Sequence, residues 1–326
     1  MITKGFTFAD LFAGVGGMRI AFERVGGRCV LTSEIDEKAL ATYFLNFPET
    51  IDHKLVKDVL KLSTKDFSLD PGELDVMVAG FPCQPYSLAG LRLGLQDDRG
   101  GEIFTALLRL LRTVKPKSFL LENVKGIRSH DDGNTFTYML EQLTKCGYTL
   151  RHETLNSMTH ANVPQNRERV FIVGFRDSSQ AASFEFPKRK KLTKTIHDCL
   201  EPNEVGEEFY YDGKYPASRE ISSAVKSRDT IYQWRRHYVR ENKSNACPTL
   251  TANMGSGGHN VPLVRDQKGV RKLTPRETAN FQGFPKSFKL PKVANSHLYH
   301  QFGNSVTVPL IERIAKQMAI ALESGK

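Results

Sequence analysis

The stretch FADLFAGVGG, residues 8–17, decides the fold, because an apolar run of strand character passes into a glycine turn and then into helical periodicity. Such a turn lets backbone amides approach a ligand at a helix N-terminus. Glu34 stands 20 residues after Gly14, at the end of the next predicted strand, which is the spacing at which an acid binds ribose hydroxyls. Asp58 is a candidate third contact, near an adenine. Each acid alone fits a solvated loop, but the combination predicts a site for an adenosine-containing cofactor.

Short apolar runs alternate with amphipathic segments up to about residue 175, which indicates an α/β fold. Strands are predicted at Phe8–Phe12, Cys29–Ser33, Val76–Ala79, Ser118–Leu121 and Val170–Val173. Helices are predicted at Met18–Val25, Glu37–Asn46, Ile103–Val114, Thr135–Cys146 and Leu310–Leu322. We expect these elements to form a doubly wound sheet, in which ligands bind at the carboxyl ends of the strands.

The composition is that of a globular protein with a basic surplus. Of the 326 residues, 46 are Lys or Arg and 36 are Asp or Glu, which gives a net charge of +10 and favours a polyanionic partner such as nucleic acid. The apolar runs are far shorter than the roughly 18 residues of a membrane-spanning helix. No signal-peptide pattern opens the chain. The five cysteines lack CxxC spacing, so we predict no metal site. Their odd number, without a secretion signal, predicts a reducing cytoplasm.

Cys83 stands in the segment AGFPCQPYS, residues 79–87, just past the end of a predicted buried strand. A lone cysteine is usually a small core residue. This one lies in a loop at the ligand-binding edge of the sheet, between two prolines that stiffen the turn. Arg167 or Arg169 is a candidate for favouring its thiolate. We therefore predict that Cys83 is a nucleophile.

Two further segments carry side chains suited to chemistry. The segment LLENV, residues 120–124, places Glu122 at the next strand end, where it could manage protons on a substrate; in isolation, an acid at a helix N-terminus explains it equally well. The segment QNRER, residues 165–169, precedes a strand, so Arg167 and Arg169 should share one face. Two guanidinium groups on one face need anions or carbonyl oxygens as partners.

Residues 214–243 form a basic stretch, with eight Lys or Arg against three acids. Tyr232, Trp234 and Tyr238 interleave with these charges. The pattern suits phosphate contacts, with aromatic side chains probing between bases. A solvated basic face explains the charges equally well.

Five blocks resemble, in sequence and in order, the DNA (cytosine-5)-methyltransferases of bacterial restriction–modification systems. They are DLFAGVGG (10–17), GFPCQPYS (80–87), ENV (122–124), QNRER (165–169) and QFGNSV (301–306). The resemblance implies a Rossmann-like, doubly wound methyltransferase sheet in residues 1–187 plus 295–326. It also implies a smaller, irregular, mostly-β target-recognition domain in residues 188–294, in which residues 248–251 are similar to the family's Thr-Leu element.

The resemblance implies that S-adenosylmethionine occupies the glycine-turn site and leaves as S-adenosylhomocysteine. The residues it assigns to the cofactor are Phe8, Asp10, Leu11, Gly14, Gly16, Gly17, Glu34, Ile35, Asp58, Val59, Pro82, Asn304 and Ser305. Ile35 departs from the family pattern, because many relatives carry an aromatic residue there to stack on adenine.

The resemblance also implies a covalent mechanism. The Cys83 thiolate would add to carbon 6 of cytosine, and Glu122 would hydrogen-bond ring nitrogen 3 and the exocyclic amine. Arg169 would hold the carbonyl oxygen of the base, and Arg167 would orient a loop or a phosphate. The target base must be flipped out of the duplex, and the glycine-punctuated loop Ser87–Gly101 would close over it.

Double-stranded DNA is thus the expected substrate, at a short GC-rich palindrome. The residues assigned to it are Gln84, Ser87, Arg99, Arg228, Arg235, Arg236, Arg240, Thr249, Leu250, Gly257 and Gly258. The resemblance further implies a bacterial monomer that acts alongside a restriction endonuclease. Three other functions compete: a tRNA methyltransferase of the same fold, a nicotinamide-dependent oxidoreductase, and a catalytically silent DNA-binding protein.

Overall fold

A seven-stranded mixed sheet forms the larger part of the protein, whose computed structural model describes residues 5–48, 54–82, 99–211, 213, 217–255 and 259–324. Its strands are β1 (Phe6–Leu11), β2 (Gly27–Ser33), β3 (Lys54–Leu55), β4 (Val76–Gly80), β5 (Ser118–Val124), β6 (Thr149–Asn156) and β8 (Glu168–Phe175), and the short β7 (Gln165–Asn166) precedes β8. The order across the sheet is β3-β2-β1-β4-β5-β8-β6. Pairings from β3 to β5 are parallel, whereas β8 runs antiparallel to both β5 and β6.

Helices cover both faces of this sheet. The helices of the described residues are α1 (Gly17–Glu23), α2 (Glu37–Asn46), α3 (Arg99–Thr113), α4 (Asn134–Lys145), α5 (Ser157–His160), α6 (Ser178–Ser183), α7 (Ser218–Ala224), α8 (Pro275–Phe281), α9 (Asn295–Asn304) and α10 (Val308–Glu323), of which α7 packs in the core of the smaller domain. On one face, Phe22 of α1 and Ile314 of α10 pack in the same core as Phe8. On the other face, Leu107 of α3 packs in the same core as Leu11. Because successive strand residues point to opposite faces, β1 supplies both cores, as a doubly wound sheet requires.

All five predicted strands and all five predicted helices are present, and the doubly wound α/β class is confirmed. The Glu37–Asn46 helix has the predicted bounds and begins at Asp36, whose side chain accepts a hydrogen bond from the Lys38 amide at 2.9 Å. The sequence missed β6, because it is an edge strand with mostly exposed, polar residues. With only Leu150 and Leu155 as apolar residues, the segment lacks the alternation of apolar and polar residues that predicts a strand.

A second, antiparallel sheet forms the core of the smaller domain, as predicted. Its strands are β9 (Tyr232–Arg235), β10 (Val239–Glu241), β12 (His259–Arg265) and β13 (Val270–Lys272), in the order β10-β9-β12-β13. The short strand β11 (Cys247–Pro248) leaves this domain and pairs in parallel with β7. The two parts of the chain are therefore joined by backbone hydrogen bonds as well as by side chains.

A buried ion cluster fixes the start of α8 against the smaller sheet. Both terminal nitrogens of the Arg271 guanidinium donate to the Glu277 carboxylate, at 2.7 and 2.8 Å, and its Nε donates to Asp266 at 2.6 Å. Glu277 and Arg271 are 0 % and 2 % exposed. Because each charge is paired and hydrogen-bonded, its burial is tolerated.

The segment after α8 packs on the larger domain. The rings of Phe284 and Phe288 contact each other and Phe302, and all three belong to the core that contains Phe8. The domain boundary at residue 294 stays a prediction, and this packing favours one nearer the end of α8. No helix in the described part of the chain has the length and apolar content needed to cross a membrane.

Candidate active site

A cavity of about 560 Å³ opens at the carboxyl edge of the parallel strands. Loops that follow β1, β2, β4 and β5 line it, together with side chains of β8, the segment from His300 to Val306, and Ala252 of the smaller domain. Its size is in the usual range for small-molecule sites, and its place is where doubly wound sheets bind ligands.

The glycine turn forms one end of this cavity. The Gly14 amide donates to Glu34 Oε2 at 2.7 Å, and the other oxygen of Glu34 accepts from the Asp36 amide at 2.7 Å. Gly14 and Gly16 both have positive φ, 55° and 89°, which glycine adopts without steric cost. Burial raises the pKa of the Glu34 carboxyl, although both amide hydrogen bonds oppose that rise. The turn thus presents a backbone cradle and an oriented carboxyl to the same space.

Phe12 lies on this cavity, and the sequence analysis missed it. It has φ 58°, a left-handed conformation that is rare for an aromatic residue. Phe8 was predicted to contact the cofactor, but it does not line the cavity. It is 0 % exposed and packs on Phe22. A residue inside β1 is covered on both faces, whereas Phe12 stands just past the strand end. The position of Phe12 directly before the glycine turn could have indicated that it lines the cavity.

Other predicted cofactor residues lie behind the cavity wall or beside it. Leu11 and Val59 are core residues of the larger domain, 0 % and 4 % exposed. The Asp58 carboxylate accepts a hydrogen bond from the Leu60 amide at 3.0 Å and does not line the cavity. Gly16 also lies behind the wall, where a Cβ would come within 2.3 Å of the Phe47 ring. As cofactor contacts, these residues stay predictions.

Asp10 is fully buried beneath the glycine turn. Both of its carboxylate oxygens lack a hydrogen-bond partner among the described residues. Burial raises its pKa to about 8, and the nearby Arg19 guanidinium limits the rise. Asp10 does not line the cavity, so its cofactor contact stays a prediction.

The remaining predicted cofactor contacts line the cavity. Ile35, Pro82, Asn304 and Ser305 all line the cavity, as does Gly17. Ile35 is 59 % exposed, a large value for an apolar side chain. It therefore offers open apolar surface at the cavity mouth. A Cβ on Gly17 would come within 3.0 Å of Ser305 Oγ, so the glycine turn and the segment 303–306 meet closely.

Glu122 and Arg169 form an ion pair inside the same cavity. Arg169 Nε lies 3.1 Å from Glu122 Oε1, and their side chains are 15 % and 11 % exposed. The pair arises because Val124 of β5 stands opposite Arg169 of β8 in the antiparallel register. The second guanidinium edge of Arg169 donates to the Glu168 carbonyl at 2.8 Å. A carboxylate oriented by a guanidinium is suited to bind a polar heterocycle edge.

The neighbouring residue Asn123 fixes the turn that leads to Cys83. Its side-chain amide donates to the Phe81 carbonyl at 3.2 Å, and its Oδ1 accepts from the Val124 amide at 2.8 Å. Cys83, Gln84 and Ser87 lie outside the described residues, as does most of the predicted closing loop. The nucleophile therefore stays a prediction, but the strand end that carries it lies beside Glu122, since Gly80 pairs with Glu122 across β4 and β5.

Arg167 also lines the cavity, but it is 1 % exposed and its guanidinium binds carbonyl oxygens. Those oxygens belong to Leu250, Gly303 and Ser305, at 2.7, 3.2 and 2.7 Å. Burial lowers its pKa, and the like charge of Arg169 acts in the same direction. Of the two roles that the resemblance implied for Arg167, the phosphate contact is wrong, because this guanidinium is buried against backbone carbonyls. The orientation of a loop stays a prediction, which these carbonyl contacts favour. The sequence predicted anions or carbonyl oxygens as partners, and the partners of Arg167 are carbonyl oxygens.

In the smaller domain the predicted basic contacts are accessible, but two of the aromatic ones are not. Arg228, Arg236 and Arg240 are exposed, and Arg235 is half-buried with a hydrogen bond to Gln233 at 3.1 Å. The prediction that Tyr232 and Trp234 probe between bases is wrong, because both pack in the domain core at 3 % and 8 % exposure. Tyr238 is 53 % exposed and stays a candidate.

The Thr-Leu element lies at the junction of the two domains. Thr249 Oγ1 donates to the Asn166 carbonyl at 2.7 Å. The Leu250 side chain is 2 % exposed and packs in the core of the smaller domain, so its predicted DNA contact is wrong for the side chain. Arg99 begins α3, while Gly257 and Gly258 lie outside the described residues.

Comparison with known proteins agrees with this geometry. Over residues 6–319 the chain matches the family of C-5 cytosine-specific DNA methylases, and it belongs to that family. It is thus a DNA (cytosine-5)-methyltransferase, which excludes the oxidoreductase and the silent binding protein. The fold and the cavity at the carboxyl edge of the sheet are consistent with this class.

Curated relatives cover almost the whole chain. Type II methyltransferase M.Bsp6I of Bacillus sp. (strain RFL6) is 46 % identical over 313 residues, which is 95 % of this chain and 97 % of that protein. M.DsaV of Dactylococcopsis salina is 40 % identical over 98 % of this chain and 87 % of its own length, and M.HpaII of Haemophilus parainfluenzae is 36 % identical over 97 % and 90 %. Among solved structures, the S. pombe Dnmt2 methyltransferase shares the fold with a TM-score of 0.72 at 20 % identity, covering 98 % of both chains.

Proposed function

We propose that this methyltransferase takes its methyl group from S-adenosylmethionine and methylates carbon 5 of a flipped cytosine, with Cys83 as nucleophile and Glu122 and Arg169 holding the base. The observation that carries the proposal is the Glu122–Arg169 ion pair, which faces the same cavity as the glycine turn and Glu34. The proposed cofactor site at the glycine turn and the proposed site for the base at Glu122 and Arg169 thus share one cavity of about 560 Å³.

The cofactor side of the cavity fits an adenosine-containing sulfonium. A Cβ on Gly14 would meet nothing within 4 Å, so the turn leaves open space where a ligand can lie against the backbone. Glu34 has lone pairs left after its two amide hydrogen bonds, and these suit ribose hydroxyls. Phe12 and Ile35 supply apolar surface for the adenine. S-adenosylmethionine, when bound, supplies an electrophilic methyl group.

On the side of the cavity that would hold the cytosine, protein side chains activate the ring. Carbon 5 of cytosine is a weak nucleophile, so the Cys83 thiolate first adds to carbon 6 and makes the ring electron-rich. Glu122 accepts a hydrogen bond from the exocyclic amine and delivers a proton to ring nitrogen 3, which neutralises the negative charge that develops there, and this proton returns to Glu122 when the thiolate leaves. Arg169, paired with Glu122, donates to the carbonyl oxygen of the base. Once carbon 5 is methylated, loss of its proton to a base restores the double bond, and the Cys83 thiolate leaves.

Further parts of the proposal concern partners. The chain would act on double-stranded DNA as a monomer in the bacterial cytoplasm, and it would protect the sites of a restriction endonuclease. Its relatives are named type II methyltransferases, and this supports the pairing. The exposed arginines of the smaller domain, Arg228, Arg236 and Arg240, would bind phosphates.

The test is bisulfite sequencing of unmethylated plasmid treated with purified protein and S-adenosylmethionine, beside a Cys83→Ser variant. We expect protected cytosines at one recurring short sequence with the wild type and none with the variant. Protection by the variant would remove Cys83 from the mechanism. No protection of plasmid DNA together with methylated tRNA would overturn the DNA substrate.

A further inference from the structure

Four buried polar side chains join the recognition domain to the cofactor side of the cavity. They are Gln165, Arg167, Gln282 and Thr307, here called the junction cluster, and they are 0 %, 1 %, 0 % and 4 % exposed. The chemistry described above uses none of Gln165, Gln282 and Thr307. Buried polar groups are costly unless they are hydrogen-bonded, so this concentration calls for a function.

On the recognition side, the cluster holds both polar groups of one peptide residue. The Leu250 amide donates to Gln165 Oε1 at 3.1 Å, and the Leu250 carbonyl accepts from Arg167 Nη1 at 2.7 Å. Leu250 follows Thr249 in the Thr-Leu element. The position of that element is therefore set by side chains of the catalytic domain.

On the cofactor side, the same cluster holds the backbone of the segment 302–305. The Ser305 carbonyl accepts from Arg167 Nη2 at 2.7 Å and from Gln282 Nε2 at 3.4 Å. The Phe302 carbonyl accepts from Gln282 Nε2 at 2.8 Å. Ser305 lines the cavity, so these bonds set the position of one cavity wall.

Gln282 connects the two sides. Its Oε1 accepts from Gln165 Nε2 at 3.2 Å and from Thr307 Oγ1 at 3.1 Å. Through Gln165 it reaches the Leu250 amide, and through its own Nε2 it reaches the 302–305 segment. The four side chains therefore form one connected network with no solvent-exposed member.

The two segments also touch each other directly. A Cβ on Gly303 would come within 2.3 Å of the Thr251 carbonyl carbon and within 2.4 Å of the Ala252 amide nitrogen. On the opposite side, Val306 and Ser305 lie against Gly17 of the glycine turn. The segment 303–306 is thus packed between the recognition element and the glycine turn. Close-packed elements of this kind shift together and not singly.

We propose that Gln282 is a positioning residue that couples DNA recognition to cofactor binding. If DNA shifts the Thr-Leu element, the Leu250 hydrogen bonds to Gln165 and Arg167 are kept only when the 302–305 segment follows. Breaking them instead would strand buried donors and acceptors. DNA and cofactor should then favour the same arrangement of the cluster and strengthen each other's binding equally. This inference rests on the proposed S-adenosylmethionine and DNA sites.

The experiment measures S-adenosylhomocysteine affinity by calorimetry, with and without a short duplex that carries the site found by bisulfite sequencing. The variants are Gln282→Leu, which removes the central carboxamide, and the milder Thr307→Val, which removes one hydrogen bond to it. The control is Gln180→Leu, because Gln180 is also buried and donates to the Leu322 carbonyl at 3.3 Å, yet lies outside the junction cluster.

For the wild type and for Gln180→Leu, we expect the duplex to tighten S-adenosylhomocysteine binding about tenfold. For Gln282→Leu the gain should fall below about twofold, with an intermediate gain for Thr307→Val. The inference is overturned if the wild type shows no gain, or if both cluster variants keep the full gain. A wild-type protein that does not bind S-adenosylhomocysteine at all would instead overturn the proposed cofactor. Thermal unfolding shows whether each variant is folded. If Gln282→Leu is not folded, the gain in affinity measured for Thr307→Val decides the test.

Discussion

The carboxyl edge of the large sheet and the four-stranded sheet of the smaller domain use their polar residues in opposite ways. At the edge, Glu122 and Arg167 are buried and Glu34 is half-buried, and each is held by named backbone or side-chain partners. In the smaller sheet the core is aromatic and aliphatic, while Arg236 and Arg240 stand exposed. We therefore expect substitutions at the edge to cost structure or chemistry, and substitutions of the exposed arginines to change DNA binding alone.

The largest effect should come from breaking the ion pair at the edge. Glu122→Gln removes the carboxylate that faces Arg169 and would hold the cytosine ring, so methyl transfer should slow on the order of 10²–10³-fold. Tritium transfer to plasmid DNA measures it. The matched control is Glu168→Gln, because Glu168 forms an exposed pair with Lys125 at 2.9 Å and should keep near wild-type activity. Equal rates for both variants would remove Glu122 from the site.

The two arginines of the QNRER segment should differ in their effects on stability and on activity. Arg167→Met removes the donor from the Leu250 and Gly303 carbonyls and one of two donors from the Ser305 carbonyl, so the free energy of unfolding should fall by about 3 kcal/mol or more. Arg169→Met breaks the ion pair with Glu122, whose side chains are 15 % and 11 % exposed. Because the Glu122 carboxylate still faces the open cavity and can be hydrated there, the loss of stability should be smaller than for Arg167→Met, yet methyl transfer should slow. Urea unfolding beside the activity assay separates the two results. The reverse ranking would contradict the assigned partners.

Within the smaller domain, aromatic residues should divide into core and surface. Trp234→Ala should lower the free energy of unfolding by about 3 kcal/mol, because a large buried side chain is removed. Tyr238→Ala should change it by no more than about 0.5 kcal/mol, since Tyr238 is exposed. Urea unfolding checks both. A stable Trp234→Ala protein with weakened DNA binding would restore Trp234 as a DNA contact.

The smallest effect concerns the exposed arginines. Replacing Arg236 and Arg240 together by Gln should leave stability unchanged and reduce the slope of log K against log salt by about 0.9 for each phosphate that the variant no longer neutralises. Fluorescence anisotropy with a labelled duplex at several salt concentrations gives the slope. An unchanged slope would make these residues a solvated face.

The sequence predicted the edge better than its surroundings, for a physical reason. Strand ends of a parallel sheet converge on one line, so Gly14, Glu34 and Glu122 could be brought together from spacing alone. Phe12 was missed because the family resemblance assigned Phe8 to the cofactor, and the sequence does not show which aromatic residue of a strand and its end reaches the cavity. Phe8 lies inside β1 and is covered by Phe22.

Long-range pairing was the part that the sequence could not supply. Arg167 was correctly expected to need anions or carbonyls, but its partners Leu250 and Ser305 lie 83 and 138 residues further along the chain. Tyr232 and Trp234 alternate with charges as surface aromatics do, yet they face the core of a small sheet. Periodicity gives the shared face of such residues and not what covers that face.

The most direct test of the central claim is a covalent trap at Cys83. DNA prepared with 5-fluorocytosine in place of cytosine is incubated with S-adenosylmethionine and either the wild type or Cys83→Ser, and the products are separated on a denaturing gel. Because fluorine cannot leave carbon 5 as a proton does, the wild type should remain bonded to DNA, with the adduct mapped to Cys83 by mass spectrometry. Free wild-type protein after DNA methylation, or an adduct with Cys83→Ser, would contradict the account.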